Sequence, residues 1–575
     1  MSHIHPLWGR PSSDKLYLEF YSREEALKRC TLSRDILIPV EAAIDRISKV
    51  RPNQTNHGVT LSDLQSIVIC SRSAESYSLY ASRSLIRGCI YLMSSMKISG
   101  RSSPFSYEFG YLCFRILALA LGTCLLNDQG ALESAVTNMA ADKDNCFMWT
   151  FSIHVSSIIE AAISHNGNPG GETFNCIIGW SHCEDHSNME ELISTTDARL
   201  LLFLLWCDRE RFLQTMAATV SPGLCGVMYV LWRCIIYQRY RQELSAADAK
   251  RLMVHYTDIL WRSYLSAVAN QDEAFHLLHS LNVQGFKSWE DDPKCINPED
   301  SKFIVHIFGH QLLERIGGIV PVDIPKALNF VYLHSIHFTG CEYELPTLFM
   351  GVFKRLWGLV LNSGDRPSAA TLDIICEAFD WCSKILVSFA ARCFGHDDMF
   401  VLICRLSDTR ISFLLDFIAK VMLLPDPATI ETSPDKRSPH ERFLIDSGHL
   451  CHNLSQIVSK ENLLQCFSPY FFEWARYFRH LQFLQWLTTS YGPAPSEYYE
   501  RCREIWLRIW KSLAKLPEPG LMSCWYPRCM ENTYCSPRCQ ALDWNSAAAD
   551  GEGCPHTQKS FFAEYEGAKG YGFLL

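Results

Sequence analysis

The residues whose types and spacing could do chemistry lie near the C-terminus: Cys524, Cys529, Cys535, Cys539, Cys554 and His556. Cys524-x4-Cys529 and Cys535-x3-Cys539 form two close pairs with five residues between them. Zinc takes four thiolate or imidazole ligands in a tetrahedron, and tight turns usually deliver them as such pairs. A module of about 40 residues buries too little apolar surface to fold alone, so a metal is its natural staple. Zinc held by such ligands contributes roughly 10–16 kcal/mol, enough to fold the module outright.

The same stretch resembles a named family. Tyr534-Cys535-Ser536-x2-Cys539-Gln540-x2-Asp543-Trp544 is similar to the second half of a MYND-type zinc finger. Cys529 matches the cysteine six positions before the Tyr-Cys-Ser cysteine, and His556 matches the family histidine after the tryptophan. The family pattern carries two interleaved zinc sites on seven cysteines and one histidine. Here no upstream Cys-x2-Cys precedes the cluster, Cys524 stands two residues early, and Cys554 lies before the histidine.

Two ligand sets stay open. One zinc on Cys524, Cys529, Cys535 and Cys539 needs no missing ligand and is preferred, so one ion is expected before two. The interleaved set joins Cys529 and His556 with Cys524 or Cys554. The resemblance implies docking of short proline-containing peptides in a groove lined by Gln540 and Trp544. An indole face packs well on proline and an amide fixes backbone register. Trp544 serves equally well as the finger's own small core.

These residues close a chain of 575 amino acids, too long for one ordinary domain. Apolar residues make up 48% and charged residues 20%, which excludes large-scale disorder. The net charge of −9 is spread without long single-sign runs and gives no electrostatic reason to bind nucleic acid. Arg528, Arg538 and Lys559 are too few and scattered to make a basic face on the finger. The first ten residues are too short and polar for a secretion signal, and most cysteines before residue 520 sit in apolar helical patterns. An intracellular, reducing setting (cytoplasmic or nuclear) is therefore expected, where clustered cysteines mean metal before disulfide.

Apolar residues recur at three- and four-residue steps almost throughout, with very little period-2 alternation. The fold expected is all-α: an irregular α-solenoid or stacked helical hairpins with a small C-terminal zinc module. Helices are predicted from Ser33 through Ile47, over 76–97, 106–126, 209–220, 223–240, 245–266, 302–317, 345–362 and 368–390, among others. The clearest stripe is Tyr499, Cys502, Trp506, Ile509 and Leu513. Breaks are expected over Asn166–Gly171, Gly285–Ser301 and the polar loop Leu424–Pro439; the second is the expected boundary between helical regions 1–284 and 302–516, and a finger is expected over 521–560. No membrane span is expected: Ser221-Pro222-Gly223 interrupts the longest uncharged stretch, Phe212–Trp232, and Ile116–Leu126 is only about half a span.

The helical body offers weaker constellations. Gly179-Trp180-Ser181-His182-Cys183 has a cysteine where a nucleophile elbow needs its second glycine, and reads as a loop serine. His182, Cys183 and His186, with Glu184 and Asp185, lack a distant partner pair and read as a polar loop. His396-Asp397-Asp398 and His449-Leu450-Cys451-His452 read as surface or cap residues. The expectation is a scaffold with an interaction finger and no catalytic role. The alternative is a finger-bearing enzyme such as a SET-type lysine methyltransferase, whose Asn-His-Ser-Cys and Asp-Tyr signatures are not found here.

Overall fold

The computed structural model describes residues 4–12, 19–22, 33–54, 56–142, 147–164, 178–180, 190–219, 221–266, 272–290, 297–313, 324–335, 340–362, 368–390, 412–424, 438–467, 471–489 and 493–513. The described chain is mostly helical, with one two-stranded ribbon. It divides into two compact units, one running to Phe303 and the other made of Ile304–Leu313 and the residues from Ile324 onward.

The first unit holds α1 (Arg34–Ser48), α2 (Leu61–Cys70), α3 (Arg83–Ser95), α4 (Glu108–Asp128), α5 (Leu132–Ala141), α6 (Phe147–Ser164), α7 (Thr195–Cys207) and α8 (Arg209–Ala218). It continues with α9 (Leu224–Tyr240), α10 (Ala246–Ser266), α11 (Asp272–Leu281), α12 (Val283–Glu290) and the start of α13 (Pro298–Leu313). Helix α4 is its axis. Every residue from Glu108 to Leu126 is buried, because α2, α3, α5, α6 and α9 all pack around it. An all-round apolar helix demands such a wrapping. It is the one described helix long and apolar enough to cross a bilayer, and its apolar stretch lies wholly inside the unit.

The buried start of α4 leaves amide groups that its own turns cannot satisfy. The N-terminal segment supplies the acceptors: Glu108 N–H donates to the Arg10 carbonyl at 2.9 Å and Phe109 N–H to that of Trp8 at 3.1 Å. The Glu108 carboxylate in turn accepts from Tyr21 Oη at 2.6 Å, Gln65 Nε2 at 2.8 Å and the Arg10 amide at 3.3 Å. His5, Trp8 and Tyr107 pack ring against ring over this join.

Several sequence expectations shift in detail. The helix expected over 76–97 is a 3₁₀ segment, Ala74–Tyr80, followed by α3, because the Ser82 hydroxyl caps the Leu85 amide and restarts the helix. Beyond it β1 (Lys97–Ile98) pairs antiparallel with β2 (Arg101–Ser102), the chain turning through positive φ at Ser99 and Gly100. The break expected from Gly285 to Ser301 is narrower: α12 reaches Glu290 and α13 begins at Pro298. Gly285 serves close packing rather than a turn, since a Cβ there would stand 2.1 Å from Asn282 Oδ1 and 2.4 Å from Met253 Cγ. The interruption expected at Ser221-Pro222-Gly223 is present between α8 and α9, with Gly223 at φ +74°.

The second unit carries the rest of α13, then α14 (Ile324–Ser335), α15 (Leu345–Asn362), α16 (Ala369–Ala390), α17 (Ser412–Met422) and α18 (Pro439–Ile457). It ends with α19 (Lys460–Phe467), α20 (Phe471–Thr488) and α21 (Pro493–Leu513). Phe379 on α16 touches Phe353 of α15, Phe417 of α17 and Phe443 of α18, which fixes four helices about one ring. Helices α20 and α21 form a hairpin: Trp474 stacks on Trp506 at 4.3 Å, and the Trp506 indole N–H donates to the Trp474 carbonyl. The expected stripe on α21 is fully buried, none of its five side chains being more than 2% exposed.

Candidate functional site

The predicted ligands Cys524, Cys529, Cys535, Cys539, Cys554 and His556, and the groove residues Gln540 and Trp544, lie outside the described residues. So do Ser181, His182, Cys183 and His186, and His396 to Asp398. Among the described residues no group of three histidine, cysteine or acidic side chains could hold a metal ion.

The described cysteines are of another kind. Cys70, Cys89, Cys113, Cys225, Cys382, Cys451 and Cys502 are buried within the helical packing. Burial raises the thiols of Cys89, Cys113, Cys382 and Cys451 and pushes that of Cys502 up to about 12. A thiol that cannot ionise is a small hydrophobe, neither nucleophile nor ligand.

Buried carboxylates in the first unit are tied down by partners. The fully buried guanidinium of Arg262 on α10 donates to both oxygens of Asp300 at 2.8 and 2.7 Å and to Asp258 Oδ1 at 2.5 Å. That fork fastens the first turn of α13 to α10. Asp208, between α7 and α8, accepts from the Phe105 amide at 2.7 Å, Ser103 Oγ at 2.9 Å and Arg211 at 3.2 Å. Desolvation still outweighs those donors and raises its pKa.

The second unit presents the candidate site. A cleft of about 380 Å³ opens between α14, α16 and α18, lined by Tyr332, Asp380, Ser383, Lys384, Asp446 and His449, with Val387, Ser388 and Asn453 completing its wall. Helical periodicity places these side chains together. Asp380, Ser383, Lys384 and Val387 follow three- and four-residue steps on α16, beside the buried stripe that includes Phe379 and Cys382. Asp446, His449 and Asn453 do the same on α18. Helix α18 is set by its cap, where Ser438 Oγ accepts from the Glu441 amide, and by Phe443 against Phe379. The polar loop expected to run to Pro439 therefore ends one residue sooner, with proline in the first helical turn where its missing N–H costs nothing.

Polar groups in the cleft are unequally matched. Lys384 Nζ pairs with Asp380 at 2.8 Å and sits 4.1 Å over the Trp381 ring. Asp446 has Arg442 Nε at 3.6 Å, an ion pair too long for a hydrogen bond, and its Oδ2 is shielded from solvent with no hydrogen-bond partner. Burial raises the Asp446 pKa; Arg442 lowers it, Asp380 raises it further and His449 lowers it. Ser383, only 8% exposed, likewise has a hydroxyl with no hydrogen-bond partner. His449 and His452 are exposed in the middle of α18 and are not caps. The sequence signal for this site was the Asp446-x2-His449-x3-Asn453 spacing, which means something only once α18 is recognised as a helix.

Compared with known proteins, the chain matches no family model, no curated protein and no solved structure.

Proposed function

We propose that this chain is a helical scaffold bearing a C-terminal zinc-binding, MYND-like finger that docks proline-containing peptides of protein partners. The observation that supports it most is the contrast between its cysteines. Those of the helical body are dispersed and mostly buried, whereas Cys524, Cys529, Cys535 and Cys539 come as two close pairs among turn-forming and polar residues. Paired spacing with no apolar periodicity suits a tetrahedral metal and not a core. One zinc ion on those four thiolates is the preferred stoichiometry, with Cys554 and His556 as the alternative ligands. Gln540 and Trp544 would read the peptide.

The body suits a scaffold of stacked helical hairpins. Helices adjacent in sequence pack on one another, as α1 on α2, α3 on α4 and α20 on α21, and next-but-one helices such as α16 and α18 extend the stack.

Metal analysis of the full chain tests this reading. One equivalent of zinc is expected in the purified protein and less than half in Cys535→Ser and Cys539→Ser variants. A wild-type protein without zinc overturns it. With zinc retained, Trp544→Ala should abolish capture of a proline-containing peptide.

A further inference from the structure

We propose that His306 and His310 on α13 bind one divalent metal ion of the zinc, nickel and copper group through their imidazole nitrogens. The two residues stand four apart on one helix and so share a face. Their rings lie 4.3 Å apart, centroid to centroid. Both belong to the stretch of α13 that packs in the second unit. Both are open to solvent: the His306 side chain is 45% exposed and His310 is exposed. Imidazole suits these ions. Two bonds of about 2.0–2.1 Å at a tetrahedral centre bring the ligating nitrogens to roughly 3.3 Å of one another. Rings already 4.3 Å apart reach that spacing by turning about their own χ angles, with no shift of backbone.

Glu344 points independently to the same use. It closes the 3₁₀ turn Cys341–Glu344, and its Oε2 lies 3.0 Å from His306 Nδ1. An ionised carboxylate only accepts, so Nδ1 carries the hydrogen, and the neutral ring keeps its lone pair at Nε2. A carboxylate placed behind a histidine in this way orients the ring and raises its basicity toward a metal at the other nitrogen. Its negative charge also favours a bound dication and offsets the Lys302 ammonium, which lies one turn earlier on α13. With Glu344 engaged as the orienting group, the protein supplies two ligands and water the others. That agrees with the absence of any three-ligand group among the described residues. Two protein ligands with open positions make an exchangeable site, unlike the closed four-ligand shell of a structural zinc. The site shares no residue with the C-terminal cysteines and does not depend on them.

Calorimetric titration of the untagged full chain with nickel chloride tests the assignment, after one equivalent of zinc has been added to occupy any thiolate site. One saturable nickel site is expected. His306→Gln and His310→Gln should each weaken it by about tenfold or more, since each removes one of two ligands. Glu344→Ala should weaken it about tenfold, the loss expected when the partner behind a metal-bound histidine is removed. His449→Gln, which replaces an exposed histidine on α18, should leave it unchanged. Both α13 side chains are open to solvent, so the variants should keep the helical circular dichroism of wild type. All of these proteins share one C-terminus, so their differences stand whether or not the finger holds zinc. No saturable nickel binding, binding untouched by His310→Gln, or binding lost in His449→Gln overturns the proposal.

Discussion

The two helical units treat buried carboxylates in opposite ways. In the first, Glu108, Asp208, Asp258 and Asp300 each hold at least one strong donor, and for Glu108, Asp208 and Asp300 the donors come from distant segments. In the second, Asp446 on the cleft wall keeps one shielded oxygen with no hydrogen-bond partner, and Arg442 Nε stands 3.6 Å from it. Desolvating a charge is costly in either place, and only matched hydrogen bonds offset it. Completed networks fasten helices to one another; where the network is incomplete, apolar contacts such as Phe443 on Phe379 carry the packing.

The sharpest way to break that contrast is to remove the cation on which the first unit's main network depends. Arg262→Met leaves Asp258 and Asp300 buried, negative and facing one another. The expected cost is about 3–5 kcal/mol, read as a lower urea midpoint for the first unit. The loss should shrink as pH falls and the orphaned carboxylates protonate. A cost below about 1 kcal/mol would show the fork to be incidental.

How much of this could be read from sequence depended on whether a stretch fixes its structure locally. The α21 stripe was legible because Tyr499, Cys502, Trp506, Ile509 and Leu513 keep strict helical steps over four turns, and all five are buried. The gap between α8 and α9 was legible because Pro222-Gly223 allows little else. Helix α18 was not legible. Its apolar positions Phe443, Leu444, Leu450 and Cys451 are interleaved with the buried Ser447 and Gly448, which weakens the periodic signal. The cleft follows from that miss, since Tyr332, Ser383 and Asp446 meet only through tertiary packing about Phe379. Gly285 misled for a related reason: its role is contact with Asn282 and Met253, and a sequence reader sees only a breaker. The predicted zinc ligands and groove residues lie outside the described residues, so the expected finger rests on its spacing and resemblance alone.

Two glycines sharpen the comparison at the level of packing. In α3, a Cβ on Gly88 would sit 2.0 Å from the Ile47 carbonyl oxygen of α1, and backbone cannot step aside as a side chain can. Gly88→Ala should therefore cost about 2–3 kcal/mol in the first unit. In α15 of the second unit, a Cβ on Gly358 would meet nothing within 4 Å. Gly358→Ala should stabilise by about 0.5–1 kcal/mol, since alanine restricts the unfolded chain and suits a helix interior. Opposite signs in thermal or urea midpoints are the expected result. Equal signs would mean that helix packing is no tighter at Gly88 than at Gly358.

Burial lowers the pKa of histidines in both units, His57 and His154 in the first and His440 and His480 in the second. His480 on α20 has its pKa lowered to about 4, first by burial and then by the Arg476 guanidinium. Its ordinary value is 6.5, so between roughly pH 6.5 and 4 the unfolded chain binds the proton and the folded unit resists it. Stability from this group is therefore full above the ordinary value and falls as pH drops through the window, by up to about 1.4 kcal/mol per pH unit. Asp446 tilts the other way. Its raised pKa makes the ionised form the costly one, so it favours the folded unit at the low end of the carboxylate range and less so as pH rises through its folded value. The second unit should accordingly lose urea stability between pH 7 and 5, where His480 and the likewise lowered His440 act together. His480→Gln, unable to titrate, should flatten that slope while leaving the pH 7 midpoint within about 1 kcal/mol of wild type. An unchanged slope in the variant would place the acid sensitivity elsewhere.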